Sequence, residues 1–441
     1  MASYGQDRPA GLNVLDKARW RLDKIFSAFD NVYVSFSGGK DSGILLNLCL
    51  DHIRRSGYRG RFGVFHIDYE AQYQQTTDFV ERTFRALPAG VDKYHICLPI
   101  AAQCATSMFQ NHWIPWEESK REIWVRDKPA WAISDSSRLP FFRAGMWDYE
   151  LQDEFAPWLH RHNGAGRTCA LIGIRTQESL NRWRSIHRNP RVEKYKNWSW
   201  ANVQAGDVVK AYPIYDWQTE DIWTAYGRFG WDYNRLYDLF YMAGLTVHQM
   251  RVASPFNDYA KSSLHLYRVV DPRNWGRMIG RVNGVNFTGI YGETTAMGWR
   301  SITLPPGHTW ESYYHFLLST LTPEIRKNYE DRLAVSVKFW REKGGCLSAE
   351  TVAALRSQGV ALDVGDSSAR SKSKKPVKMQ YLDDADIDEF KAIPTYKRMC
   401  ICILKNDHFC KYMGFAATKI DSDRREKALE KYRSVYEKPS I

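Results

Sequence analysis

The run Ser37-Gly38-Gly39-Lys40-Asp41-Ser42 constrains this chain more than any other feature. It follows directly on a short apolar, β-branched stretch, Val32 to Phe36. It leads directly into Ile44, Leu45, Leu48, Cys49 and Ile53, which recur at helical spacing. A strand that turns through two glycines straight into a helix aims the helix's free N–H groups and dipole at the turn. The glycines let that backbone approach a bound group closely. Such a turn is built for an anion, and phosphate is the natural one. Lys40 adds positive charge for β and γ phosphates, and Ser37 and Ser42 add hydroxyl donors. Asp41 suits either ordering the loop or holding Mg²⁺. The run is not a Walker A loop, which has four residues between its first Gly and Gly-Lys-Ser/Thr.

The surrounding pattern predicts the fold class. Gly57 ends the first helix, and a second strand spans Phe62 to Ile67. A helix then carries Phe79, Val80, Thr83, Phe84 and Leu87 on one face, followed by a third strand, Lys93 to Leu98. Further on come a helix at 149–162, strands at 169–174 and 208–212, and a helix at 219–229. Strands alternating with helices imply right-handed crossovers and an α/β fold, a mostly parallel, doubly wound sheet. The expected organisation is an N-terminal helix or arm over 1–24, a nucleotide-binding domain over 25–235 and a largely helical C-terminal extension over 236–441. In that last region Ile325, Tyr329, Leu333 and Val337 step by four, and Asp366 to Lys378 reads as a mobile Ser/Lys-rich stretch.

A second motif, Gly173-Ile174-Arg175-Thr176-Gln177-Glu178-Ser179-Leu180-Asn181-Arg182, follows a strand and opens a helix. Arg175 and Arg182 suit bidentate pairing with phosphate or sulfate oxygens, and Glu178 suits fixing one arginine or binding a metal. A third, Tyr212-Pro213-Ile214-Tyr215-Asp216-Trp217-Gln218-Thr219-Glu220-Asp221-Ile222-Trp223, reads as structural, with Thr219 as a helix N-cap. His66, Asp68 and Glu70 sit at the C-terminal end of the second strand, the binding edge of such sheets. Asp68 there suits ribose, or Mg²⁺ through water, or an ordinary loop. Lys120, Arg121 and Arg126 line a substrate entrance or form a solvated basic face.

These segments carry a family resemblance. The loop resembles the PP-loop of the ATP pyrophosphatase superfamily, whose fold is adenine nucleotide alpha hydrolase-like. The second and third motifs resemble segments of the phosphoadenosine phosphosulfate reductases and of the related ATP sulfurylase small subunit. The likeness covers about residues 25 to 235. The intervals Trp113 to Glu117 and Lys120 to Arg126, with the long C-terminal half, resemble the branch containing immunoglobulin-binding regulator A. The resemblance implies ATP and Mg²⁺ as ligands and cleavage between the α and β phosphates. It places Lys40, Asp41 and Arg175 in catalysis, and Ser37, Gly38, Gly39, Ser42, Asp68, Glu178 and Arg182 against the nucleotide, with Asp41 the metal ligand. It also implies a ParB/sulfiredoxin-like protein partner.

The chain departs from the reductases in two ways. It has no Glu-Cys-Gly-x-His segment, and neither the adjacent-Cys nor the Cys-x-x-Cys pairs that bind their iron–sulfur cluster. Its PP-loop keeps the Gly-Gly-Lys-Asp-Ser that those enzymes degrade. The expectation is therefore an ATP pyrophosphatase or adenylyltransferase. The alternatives are a sulfonucleotide reductase, or a nucleotide-switched regulatory protein that binds DNA or a ParB-like partner.

Composition bounds the rest. A net charge of +12 favours polyanionic ligands, nucleic acid among them, without choosing between them. The 17 Trp, 25 Tyr and 20 Phe fit either a large aromatic core or surfaces that stack on bases. No helix-turn-helix or zinc-finger signature is present. No apolar run reaches the roughly 18 residues of a membrane span, and the polar start from Met1 to Asn13 predicts a cytoplasmic protein. Eight cysteines in so long a chain read as reduced thiols. Cys400, Cys402, His408 and Cys410 are of the residue types that hold Zn²⁺, but Cys-x-Cys is not the usual zinc spacing. The adjoining Ile401, Ile403 and Leu404 read as core.

Overall fold

The computed structural model describes residues 11–179, 182–183, 186, 193–247, 249–252, 254–258, 260–291, 302–366, 375–387 and 390–414. They fall into two compact units. The first lies within Met1–Ala102, Ile114–Pro255 and Leu266–Arg281, the second within Gln103–Trp113, Phe256–His265 and Val282–Ile441.

The first unit is built on a six-stranded sheet. Its strands are β1 (Asn31–Ser35), β2 (Arg61–Ile67), β3 (Val91–Ile96), β4 (Thr168–Ile172), β5 (Ala201–Ala205) and β6 (Val208–Ala211), in the order β3-β2-β1-β4-β6-β5. All pairings are parallel except β5 with β6, so the fold is the α/β, mostly parallel sheet that the sequence predicts. β1 lies in the interior, bonded to β2 on one side and β4 on the other. Alternation on the strands feeds two apolar cores. Val32, Val34, Phe62, Val64, Cys169 and Leu171 point into one, while Tyr33, Phe65, Ile67 and Ala170 point into the other. Burying each large aliphatic side chain in such a core stabilises by about 1.5–3 kcal/mol.

Helices cover both faces. They include α1 (Val14–Ala28), α2 (Lys40–Ser56), α3 (Gln74–Ala86), α4 (Asp148–His162), α5 (Thr219–Phe229), α6 (Leu236–Met242) and α7 (Pro272–Arg281). α2 ends on Gly57, whose φ of 64° supplies the left-handed cap. β5 is a strand that the sequence reading lacks. Its polar Asn202 and Gln204 give it little apolar signal, and pairing with β6 around Gly206 makes it a strand.

The expected domain boundaries do not coincide with the compact units. α1 is no separate arm: Ala18, Leu22, Ile25 and Phe26 lie in the same core as β1. Its Arg21, 1% exposed, grips both carboxylate oxygens of Asp216 at 2.7 and 2.6 Å and the Pro213 carbonyl at 2.7 Å. That fork gives the Pro213–Trp217 segment a structural purpose. Residue 235 falls inside the first unit, because Asn234, Leu236 and Tyr237 are buried there. The cap of α5 also differs from expectation. Gln218 is the N-cap, and its N–H donates to the Asp221 carboxylate at 2.7 Å, leaving Thr219 as the first helical residue.

The second unit holds α8 (Val285–Tyr291), α9 (Trp310–Ser319), α10 (Pro323–Glu342), α11 (Ala349–Ser357) and α12 (Tyr396–Leu404). A small antiparallel sheet joins β7 (Gly345–Leu347), β8 (Asp363–Val364) and β9 (Lys375–Lys378). The end of the stretch read as a mobile polar loop is thus a strand. Val377 is fully buried with Leu347, Leu355 and Met379, which outweighs the lysines flanking it. Residues 367–374 of that stretch lie outside the described residues. Among the described residues, no helix is long and apolar enough to cross a membrane.

Candidate nucleotide-binding site

β1 delivers the glycine-rich turn to the C-terminal edge of the sheet. The two crossovers from β1 run through β2 to β3, whereas β4 lies on the opposite side of β1. The gap between β1 and β4 is therefore a topological switch point, the place where open α/β sheets bind ligands. Phe36 N–H donates to the Phe65 carbonyl at 2.8 Å, and the chain then turns at Gly38 with φ 75°. A Cβ at Gly38 would meet Val80 Cγ2 at 2.9 Å and Thr76 Cγ2 at 3.1 Å, so only glycine fits there. Gly39 is the N-cap of α2 and brings no capping side chain to the helix amides. Ser37 and Ser42 close on each other across the turn, Ser42 buried and Ser37 exposed. Ser37 N–H donates to Ser42 Oγ at 3.1 Å, and Ser42 Oγ donates to the Gly39 carbonyl at 3.1 Å. The two hydroxyls lie 3.0 Å apart.

Charge gathers on this turn. Lys40 is buried, with Nζ 3.2 Å from Asp41 Oδ2. Burial, then the nearby Arg175, hold the Lys40 ammonium below the ordinary lysine value, while Asp41 opposes them. Arg175 reaches from the loop after β4. Its Nε donates to Asp41 Oδ1 at 2.5 Å, and its terminal nitrogens to Gln177 Oε1 at 2.9 Å and Glu178 Oε1 at 3.4 Å. Arg182 pairs with the other oxygen of Glu178, and Arg251 donates to the Glu178 carbonyl at 3.1 Å. Gly173 makes the approach of the two loops feasible. A Cβ there would stand 3.0 Å from Ser42 N and 3.1 Å from the Asp41 carbonyl carbon. Three cations, Lys40, Arg175 and Arg182, thus share two carboxylates, Asp41 and Glu178, with Arg251 a fourth on the Glu178 main chain. The surplus positive charge suits a polyphosphate.

The structure therefore brings Ser37, Gly38, Gly39, Lys40, Asp41, Ser42, Arg175, Glu178 and Arg182 into one connected group. Asp68 is not among the side chains these contacts join. It is 2% exposed, and its oxygens take His95 Nε2 at 2.8 Å, the Glu70 N–H at 3.0 Å and the Arg126 guanidinium. Burial alone would raise its carboxyl, but Arg126 and the two histidines hold it far below the usual range. The ligating atoms of His66, Asp68 and His95 lie within 4.8 Å of one another, and Arg126 already supplies the positive charge beside them. Glu70 is fully buried and accepts from Trp116 N at 2.7 Å, Val125 N at 3.0 Å and Arg281 Nε at 2.8 Å. Asp68 and Glu70 are thus anchors for the Trp116–Arg126 interval, and Arg126 is a tie to Asp68, not a solvated cation. Lys120 and Arg121 instead pair with Glu117 and Glu118 on the surface.

Three contacts on the loop escape the sequence reading. Tyr226 Oη donates to the Lys40 carbonyl at 2.7 Å, and Asn234 Nδ2 to the Gly38 carbonyl at 3.0 Å. Tyr237 Oη accepts the Lys40 N–H at 3.0 Å. No motif marks these residues, since buried tyrosines in a chain this rich in aromatics read as core. In the second unit, Cys400, Cys402 and Cys410 are fully buried in the core with Tyr314 and Tyr329. His408 commits Nε2 to the Ser107 carbonyl at 2.8 Å. Among the described residues, those four side chains do not converge as a ligand set.

The fold and the loop at its switch point define a PP-loop protein of the nucleotide-binding kind. A family model described as the phosphoadenosine phosphosulfate reductase domain matches residues 31–121 and 154–243, and one described as a domain of unknown function (DUF3440) matches 244–424. The chain is 32% identical over 423 residues to the uncharacterized protein YbdN of Escherichia coli (strain K12), covering 95% of this chain and 94% of that one. The chain belongs to this phosphoadenosine phosphosulfate reductase-like family of the PP-loop superfamily. Among solved structures it is similar to a phosphoadenylyl-sulfate reductase from Candida auris in its phosphate complex. That match has 17% identity and a TM-score of 0.29, over 52% of this chain and 85% of that one. It is also similar to the Candida glabrata FMN adenylyltransferase with FAD and pyrophosphate, at 15% identity and a TM-score of 0.30, over 53% of this chain and 65% of that one.

Proposed function

We propose that this protein binds ATP on the Ser37–Ser42 turn and cleaves it between the α and β phosphates, passing the adenylyl group to an acceptor or to water. The carrying observation is the joining of the Lys40–Asp41 turn to Arg175, Glu178 and Arg182 at the β1/β4 switch point. In the displacement, an oxygen nucleophile bonds to the α phosphorus as the bond to the bridging oxygen breaks. The electron pair leaves with pyrophosphate. Lys40 neutralises the charge that builds on the β phosphate, and the α2 amides cradle the same group. Arg175 keeps Asp41 oriented and, from the end of β4, would face the α phosphate or the attacking group. Asp41 is the carboxylate beside the turn that would hold Mg²⁺, in exchange for its pairs with Lys40 and Arg175, and the ion would add charge neutralisation at the phosphates. The intact Gly-Gly-Lys-Asp-Ser and the lack of the reductase cysteine segment favour this reaction over sulfonucleotide reduction.

The test is incubation of the full chain with α-labelled ATP and Mg²⁺, followed by separation of AMP, ADP and adenylylated products. AMP or an adenylylated acceptor is expected. Lys40→Ala is expected to lower turnover by about 100-fold, the scale of losing one electrostatic donor. ADP as the product, or near-normal release by Lys40→Ala, overturns the reading.

A further inference from the structure

Among the side chains that hold the backbone of the turn, one keeps a donor unspent. Tyr237 on α6 is 3% exposed, and its Oη accepts the N–H of Lys40, the first amide of α2. That amide is one of the donors a helix N-terminus offers to phosphate. Here the phenol takes it. A phenol that accepts still carries a proton to give. Among the described residues, no acceptor receives that proton. The neighbouring hydroxyl of Tyr226 and amide of Asn234 differ, because both are spent on loop carbonyls.

The position of Oη is informative. A Cβ built on Gly39 would lie 3.4 Å from Tyr237 Oη and 3.3 Å from Ser37 Oγ. The phenol therefore borders the space that the missing side chain of Gly39 leaves open. Lys40 Nζ sits 5.3 Å from the centre of the same ring, within reach of its π face. One aromatic side chain thus touches both the backbone amide and the ammonium of Lys40. It fixes the lysine's direction and presents an O–H beside the glycine.

Resting on the ATP reading above, we propose that Tyr237 is a phosphate-binding residue: its phenolic proton goes to an oxygen of the β or γ phosphate, relaying the Lys40 amide that it covers. The ligand group it selects is the pyrophosphate part of the nucleotide, not the adenosine or the α phosphate.

Calorimetric titration of the full chain with Mg-ATP, Mg-pyrophosphate and AMP tests this in the wild type and in Tyr237→Phe, alongside thermal melts. Phe keeps the ring and its packing and removes only the hydroxyl. The expected result is Mg-ATP and Mg-pyrophosphate affinity lower by about tenfold, the scale of a hydrogen bond to a charged group, with AMP affinity unchanged. Loss of AMP affinity in step with the other two, together with a lowered melting temperature, would assign the hydroxyl to loop shape alone and overturn the proposal. So would unchanged affinity for all three. A wild type that binds neither Mg-ATP nor Mg-pyrophosphate overturns the underlying nucleotide reading, a result distinct from a binding wild type with an indifferent variant.

Discussion

The Asp41–Arg175 pair should be a strongly coupled tie between the β1 and β4 loops. Arg175 has a side chain 2% exposed and Asp41 one 14% exposed, and they meet at 2.5 Å. Removing one partner of a buried pair typically costs about 3–5 kcal/mol, because the other charge stays buried without compensation. Asp41 keeps Lys40 at 3.2 Å, and Glu178 keeps Arg182, so the lower end of that range applies to Arg175→Ala. Asp41→Asn preserves shape and leaves Arg175 with Glu178 and Gln177, so about 2 kcal/mol is expected. The double variant should cost less than the two single ones together by about 2 kcal/mol, within the range seen for contacting residues. Urea unfolding of the four proteins without ligand measures this cycle. The coupling should survive 1 M salt, since a pair this buried is screened little. A coupling below about 0.5 kcal/mol, or one that salt abolishes, would mean that the two loops meet without depending on the pair.

Two further outcomes follow from burial in each unit. Burial, then the neighbouring His95, push the His66 imidazole down to about 4, with Asp68 opposing them. The unfolded chain therefore takes up a proton at His66 before the folded one does. Stability from this group is complete above pH 6.5 and falls by about 3 kcal/mol as pH drops to about 4. Urea unfolding at pH 7 and pH 4 should show that fall in the wild type and a smaller one in His66→Asn; equal falls would refute it. In the second unit, replacing Cys400, Cys402 and Cys410 by Ser should lower the melting temperature, because burial raises the Cys400 thiol to about 12 and all three lie in an apolar core. ATP turnover of the folded triple variant should stay within about tenfold of the wild type; its complete loss would contradict a structural role.

The elements legible in the sequence are those whose pattern and position agree. β1 and β2 with the helices after them, and β4, carry unbroken apolar periodicity, and both faces of the sheet are covered, so the strands read as continuous apolar runs. The turn was legible for the same reason, since two glycines between such a strand and such a helix admit few geometries. β5 was not, because its polar residues carry little apolar signal and a local hairpin with β6 makes it a strand; β9 was not, because Val377 is buried by Leu347 and Leu355, remote in sequence. Asp68 shows the other limit. Its place at the end of β2 puts it at the edge of the sheet, but its partners, His95 and Arg126, are 27 and 58 residues further on. Position alone cannot distinguish an acid that faces a ligand from one that fastens a loop.

That distinction bears on what a PP-loop motif specifies. Six residues set the turn, but Tyr226, Asn234 and Tyr237 hold three of its backbone groups from 186 to 197 residues further along the chain. A Cβ at Gly43 would lie 2.4 Å from Tyr226 Oη, so α2 and α5 fit closely where the tyrosine reaches the loop. The turn is thus held in shape from outside the motif, by side chains whose own positions depend on the packing of Trp223, Tyr226, Tyr233 and Tyr237. A phosphate nest gains affinity from being preorganised, because amides already fixed cost nothing to align on binding. Changes at Trp223, Tyr226 and Tyr233 should therefore act on nucleotide affinity without touching the nucleotide, which makes those rings part of the site in energetic terms.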